Sequence, residues 1–224
     1  MKPSKDADKS KVPESPSKND SIFLINKSTD FWVLLKDSKN KAPEFKETTI
    51  SDDLYRISLS TGKEQLIKCY FELNDNFLFC FKESGKALVA FLDLEYARIK
   101  EITYKDPKSG DNFFGIRIIK HRNYEDILHP DEKLVKIWFE ALKRYCLMSQ
   151  FGLFYENIKV LGQGNFAKVF LVKRKIDNKE FAVKVFDKKA IMTDELEKKC
   201  LIYEVNTLRK LNSSYVMTMH ELYE

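Results

Sequence analysis

Two runs of strand chemistry, residues 154–160 and 168–172, flank Leu161, Gly162, Gln163, Gly164, Asn165, Phe166 and Ala167, and this segment restricts the fold more than any other. Valine, isoleucine and aromatic residues on both sides ask for extended backbone. The glycines between them supply a flexible turn whose backbone N–H groups can closely approach a phosphate chain. A third run, 181–186, follows the Asp177-Asn178-Lys179 turn and carries Lys184, a fixed positive charge suited to the same phosphates. Dinucleotide-binding folds also use closely spaced glycines, but they need a helix directly after them. Here Val169-Phe170-Leu171-Val172 follows, which is strand chemistry, and no GxxxxGK[ST] is present.

Beyond the third strand the pattern becomes helical. Asp194 and Glu197 have capping-box spacing, and Leu201, Glu204, Leu208 and Leu211 share a helical face. Residues 215–223 read as a further strand. With no neighbouring strand left to pair with, everything after about 212 is expected to be poorly anchored.

The first part of the chain has a different organisation. Residues 1–20 are almost all Lys, Ser, Pro and Asp and read as a disordered tail. Ile67, Cys69, Phe71 and Leu73 alternate with Lys68, Tyr70 and Glu72, the period of a strand. Asn74-Asp75-Asn76 is a turn, and 77–81 returns as the partner strand. Residues 87–94 and 113–119 are further strands. Then Leu134, Ile137, Trp138, Ala141, Leu142 and Tyr145 form one helical stripe, opened by Pro130, Asp131 and Glu132. This register turns Tyr70, Phe77, Phe79 and Phe81 onto an outer face, and four bare aromatics need cover. The apolar stretch 22–35 is the expected cover. Cys69 and Cys80 would face each other across the hairpin, as two small buried residues rather than a disulfide.

Bulk properties narrow the classes. A 43% hydrophobic content supports a real core, and 224 residues allow one complete domain and part of another. The net charge of +5, from 39 basic and 34 acidic residues, is too mild and too evenly spread to support nucleic-acid binding. Four Cys without CxxC spacing and three His offer no metal site. No run approaches a membrane span. The expected location is cytoplasmic, with a peripheral membrane association left open.

The strand–glycine turn–strand, Phe181-Ala182-Val183-Lys184 and Glu204 within Leu201-Ile202-Tyr203-Glu204-Val205 together resemble the amino-terminal lobe of a protein kinase, over about 155–224. The resemblance implies that Gly162 to Ala167, including Gln163, Gly164, Asn165 and Phe166, cover the phosphates of ATP. It implies that Leu161, Val169 and Ala182 contact adenine, and that Lys184 binds the α- and β-phosphates, oriented by Glu204. Ala167 stands where the family has a third glycine. The long lead-in before Glu204 resembles serine/threonine kinases more than tyrosine kinases. Residues 51–148, with Cys69-Tyr70-Phe71-Glu72-Leu73 before a hairpin and Trp138 in the last helix, resemble a pleckstrin-homology domain. That resemblance implies a seven-stranded sandwich plugged by its helix. Its lipid-binding members grip inositol phosphates with basic residues on the first two strands. Arg56, Lys63 and Lys68 are the candidates, although Ile67 and Cys69 occupy the places of the usual basic pair.

The expected fold class is therefore α+β. A disordered tail (1–20) and an apolar covering segment (21–50) precede a helix-capped β-sandwich (51–148). A linker (149–154) then leads to an incomplete kinase N-lobe of antiparallel sheet plus one helix (155–224). The resemblance implies an ATP-dependent serine/threonine kinase with protein substrates, using Mg in the complete enzyme. The catalytic loop and metal ligands are missing here, so these residues alone are expected to bind ATP without transferring phosphate. A stand-alone binding module, working through a weak phosphoinositide or protein contact, and a truncated regulatory protein remain alternatives.

Overall fold

In the computed structural model the described residues are 21–23, 31–35, 41–60, 63–120, 123–164, 167–211 and 213–224. The expected tail, 1–20, lies outside them.

A two-residue strand, β1 (Val33–Leu34), precedes β2 (Thr48–Ser60), β3 (Lys63–Asn74), β4 (Phe77–Phe81), β5 (Leu88–Asp93), β6 (Arg98–Lys105), β7 (Asn112–Lys120) and β8 (Asn123–His129). The helix α1 (Glu132–Lys143) follows. Neighbours from β2 to β5 and from β6 to β8 are antiparallel. The two groups join where β2 meets β8, through Tyr55↔Leu128 and Arg56↔Ile127 alone. Phe71, Leu73, Leu78 and Leu92 of the first group share one buried cluster with Ile99, Ile116, Ile118 and Ile127 of the second. Trp138 and Leu142 of α1 close that cluster. Trp138 is fully enclosed yet keeps its indole N–H satisfied, donating to Asp52 Oδ2 at 2.9 Å.

The helix begins where the sequence places it, with the Asp131 carboxylate accepting from the Lys133 N–H. Its buried stripe differs in one member. Ile137 is 57% exposed, while Val135 and Phe139 face the sheet. Residues 137 and 139 lie about 100° to either side of Trp138, and periodicity alone does not choose between those sides.

The β3–β4 turn has Asp75 in the left-handed region, φ 52°, a conformation aspartate tolerates. Its register pairs Phe71 with Cys80, so Cys69 sits diagonally to Cys80 rather than opposite it. Both thiols are buried and free. Of the four outer-face aromatics Phe79 is buried and Tyr70, Phe77 and Phe81 are half-buried, and among the described residues the cover comes from Phe45, inside 21–50 but beyond the stretch 22–35. Phe45 stacks on Phe79 at 4.4 Å, and with Phe77 and Phe91 it buries that ring completely. The stretch 22–35 is divided instead. Trp32 and Phe31 pack into the inner core, and the Trp32 indole donates to Glu125. Val33 and Leu34 add an edge to β5, while Ile22 and Phe23 join a different cluster. Residues 24–30 lie outside the described part.

The remaining elements are β9 (Leu147–Met148), α2 (Phe151–Phe154), β10 (Tyr155–Gln163), β11 (Ala167–Arg174), β12 (Glu180–Phe186), α3 (Lys188–Thr193), α4 (Glu195–Lys210) and β13 (Leu222–Tyr223). The short turn α2 falls inside the expected linker. A separate three-stranded antiparallel sheet has the order β10-β11-β12. Asp194 caps α4 by accepting from the N–H groups of Leu196 and Glu197, and Asp187 caps the unforeseen α3 in the same way.

The end of the chain departs from expectation. Only Leu222 and Tyr223 form a strand, and they pair in parallel with β9, not with β12. They are also well anchored, because two carboxylates find distant partners. Glu221 bonds Lys143 at 2.8 Å and accepts from the hydroxyls of Tyr155 and Tyr223. Glu224 accepts from the Ser21 hydroxyl and the Ile22 N–H, and meets Lys188 at 3.3 Å and Arg98 at 3.4 Å. Between these anchors and α4, Tyr215 and Met217 remain 97% and 84% exposed.

Burial alone would raise both carboxyl pKa values, but the hydrogen bonds and cations outweigh it and hold them below the usual 4.5. Their contribution is therefore complete above that value and is lost as pH falls through the lowered folded-state values. The protection of amides 221–224, measured relative to their intrinsic exchange rates, should fall below about pH 4, and Glu221→Gln with Glu224→Gln should flatten that pH dependence. A second expectation concerns Gly115 in β7. A Cβ there would strike the Leu128 side chain and lie 2.7 Å from the Ile127 carbonyl oxygen. Gly115→Ala should cost about 1–3 kcal/mol in urea unfolding.

Candidate functional site

The β10–β11 hairpin carries the glycines. Gly162 pairs with Val169 and Gln163 with Lys168, and the Gly164 N–H donates to the Ala167 carbonyl at 2.9 Å. A register irregularity between Val160 and Gly162 falls at Leu161, which is half exposed. Asn165 and Phe166 lie outside the described residues.

Neither glycine is needed by the fold itself. Gly162 and Gly164 are not among the positive-φ positions. A Cβ at Gly162 would meet nothing within 4 Å, and one at Gly164 only an ordinary contact at 3.7 Å. What their small size keeps open is the space outside the hairpin, where a bulky ligand could approach the backbone.

The β11–β12 register sets Val169 opposite Lys184 and Leu171 opposite Ala182. Alternation therefore puts Val169, Leu171, Ala182, Lys184 and Phe186 on one face of the sheet. Ala182 and Lys184 are exposed on it. Helix α4 brings Glu204 to the same place. Lys184 Nζ donates to Glu204 Oε1 at 2.7 Å and stands 5.0 Å from the Phe186 ring centroid. The two side chains are 46% and 40% exposed. An exposed pair of this kind contributes about 0–1 kcal/mol, so it does not hold the helix down. Leu201 and Val205 do, buried on either side of Glu204. The expected face differs here too, since Leu211 is 40% exposed. The missed partner, Val205, is adjacent to Glu204 and turns inward as Glu204 points along the sheet.

Arg56 and Lys68, two of the basic residues considered for a phosphoinositide, are not brought together, and the Lys63 side chain lies outside the described part. Arg56 pairs with Ile67 and Lys68 with Tyr55, so alternation sends Arg56 and Lys68 to opposite faces of the β2–β3 ribbon. Arg56 is already bound to Glu125 by two hydrogen bonds, 3.1 and 2.8 Å, and lies over the Trp32 ring. Lys68 pairs with Asp53 at 2.9 Å. The Lys63 backbone pairs with Ser60 at the end of the ribbon. Among the described residues no cluster of three or more His, Cys, Asp or Glu is placed to hold a metal ion. None of the described helices is long and apolar enough to cross a membrane.

Residues 155–224 match the family described as protein kinase domain. Calcium-dependent protein kinase 4 of Plasmodium berghei is 37% identical over 70 residues, which cover 31% of this chain and 13% of that protein. Serine/threonine-protein kinase Sgk3 of Rattus norvegicus is 45% identical over 56 residues, 25% of this chain and 11% of its own. The match to probable serine/threonine-protein kinase fhkC of Dictyostelium discoideum is longer: 33% over 154 residues, 63% of this chain and 26% of that one. The chain thus spans a small fraction of each of these relatives. The solution structure of the pleckstrin homology domain of human KIAA0053 protein aligns with 47% of this chain and 93% of its own, at 16% identity and a TM-score of 0.36. Residues 155–224 are thus similar to protein kinase domains, those of serine/threonine kinases among them.

Proposed function

We propose that the β10–β12 sheet and α4 are the nucleotide-gripping part of a protein kinase amino-terminal lobe, in a protein that transfers the γ-phosphoryl group of ATP to protein serine or threonine. The observation that carries this reading is the 2.7 Å contact between Lys184 and Glu204, on a sheet face that also presents Ala182 and Val169.

The described residues take roles that their positions support. Leu161, Val169 and Ala182 offer an apolar surface for adenine. Gly162, Gln163 and Gly164, with Asn165, Phe166 and Ala167, would roof the phosphates, and the two glycines leave room for that approach. Lys184 would neutralise the α- and β-phosphates. Glu204 limits where the long, flexible lysine side chain can point, so less rotamer freedom is lost when a nucleotide enters. ATP supplies the transferable phosphoryl group, and Mg its counter-charge. The remaining catalytic groups belong to parts of kinases that these residues do not include. A phosphoinositide role for Arg56, Lys63 and Lys68 is not favoured, because Arg56 and Lys68 are satisfied by acidic partners on opposite faces. We propose a cytoplasmic location, with peripheral association at membranes as the alternative.

The test is nucleotide affinity. The 224-residue chain should bind a fluorescent ATP analogue with Mg. Lys184→Met should weaken that binding about tenfold or more, by removing a charge-assisted contact to phosphate. Its unfolding free energy should stay within about 1 kcal/mol of the parent, as befits an exposed pair. Equal analogue affinity in parent and variant would remove Lys184 from the site and the proposal with it.

A further inference from the structure

An ion pair exposed to solvent on both sides reports where a helix lies more than it decides it. What decides the seat of α4 is on its other side. Leu201 and Val205 share a buried cluster with Ile191 of α3, Leu147 of β9, and Ile22 and Phe23. Three of these six residues, Leu147, Ile22 and Phe23, come from outside the kinase-like segment.

Tyr96, in the β5–β6 turn of the pleckstrin-homology-like region, reaches the helix directly. Its ring is stacked on Phe23, centroids 4.7 Å apart and 16° from parallel. The Arg209 guanidinium of α4 lies over the same ring at 5.1 Å. Its hydroxyl donates to Asn206 Oδ1, two residues beyond Glu204. Arg209 also donates to the Cys146 carbonyl at 3.4 Å, and its buried Nε meets no partner among the described residues. Packing against the Tyr96 ring therefore does much to keep Arg209 in place.

The backbone at Tyr96 is informative. Its φ of 59° is left-handed, a conformation that glycine or asparagine adopts more readily. A bulky aromatic persists in such a conformation only where its surroundings over-determine it. The surroundings here are Phe23, Asn206 and Arg209. Residues 21–23 are in turn pinned from behind, through the Ser21 hydroxyl and Ile22 N–H on Glu224.

We propose that Tyr96 and the segment 21–23 are positioning residues for Glu204: a brace from the N-terminal region that seats α4 and so brings Glu204 to Lys184. The nucleotide site is then coupled within one chain to a region that lies on the other side of α4 from Lys184. Displacing Phe23 from Tyr96 releases the helix, and Glu204 leaves Lys184. The proposal deepens the nucleotide-site reading above, but the seat of the helix can be measured without a nucleotide.

The experiment uses the full 224-residue chain with three substitutions. Tyr96→Gly eases the backbone while deleting the ring, Tyr96→Phe keeps the ring, and Phe23→Ala removes the stacked partner. A carbodiimide forms a zero-length amide between Lys184 and Glu204 only when the two touch, and mass spectrometry counts it. Hydrogen exchange follows α4, with β3 and β4 as the fold control. Tyr96→Gly and Phe23→Ala should lower the cross-link yield and the fluorescent ATP analogue affinity by about fivefold or more, the scale of intramolecular coupling. Exchange in α4 should rise while β3 and β4 stay protected, and Tyr96→Phe should retain most of the parent's yield. An unchanged cross-link in Tyr96→Gly overturns the brace, as does faster α4 exchange with the cross-link intact. A parent that cross-links but binds no analogue sinks the nucleotide reading, while loss of its cross-link in Tyr96→Gly still upholds the brace.

Discussion

The burial of Leu201 and Val205 against Leu147, Ile191, Ile22 and Phe23 is the constraint on which the candidate site depends. Apolar burial at roughly 25 cal/mol per Å² gives a few such side chains several times the contribution of a half-exposed ion pair. Helix α4 is therefore placed by its apolar side, and Glu204 is carried to Lys184 as a consequence. The same cluster draws residues from both ends of the chain and from the middle. The three-stranded sheet and the larger sheet thus share a seam across which α4 lies.

Polar contacts lock that seam at defined points. Glu221 binds Lys143 at the end of α1 and the hydroxyl of Tyr155 at the start of β10, so one carboxylate ties that helix to the smaller sheet. Glu224 gathers Ser21, Ile22, Arg98 and Lys188. Within the larger sheet, Glu125 plays a comparable part, tying Arg56 of β2 to the Trp32 indole. Burial pushes its carboxyl pKa up despite the nearby guanidinium. A side chain sealed in this way serves the fold, which is why Arg56 is a poor candidate for an external anion.

How much of this could be read from residues alone depended on the range of the interaction. Strand period and turn chemistry are local, and they placed β3, β4, β12 and the start of α1 to within a few residues. The Lys184 and Glu204 pairing was legible because a recognisable pattern spans it. Coverage of Phe79 by Phe45 was not, since Phe45 is a single aromatic in a polar stretch and 22–35 is the more apolar segment. The place of 215–223 is not legible for a related reason: Leu222 and Tyr223 lie beside β9, distant in sequence, and the flanking Glu221 and Glu224 are held by Lys143, Arg98 and Lys188. Tyr96 gave no signal at all. Nothing local marks a tyrosine at a left-handed turn as the support of a helix more than 100 residues later.

The most direct measurement of the site is chemical. An ATP derivative carrying an acyl group on its terminal phosphate transfers that group to whichever amine stands beside the bound phosphates, releasing the nucleotide. Peptide mapping after brief exposure should find Lys184 acylated ahead of the other lysines, with excess unmodified ATP suppressing that label. Acylation spread over surface lysines and indifferent to ATP would contradict a nucleotide site at Lys184.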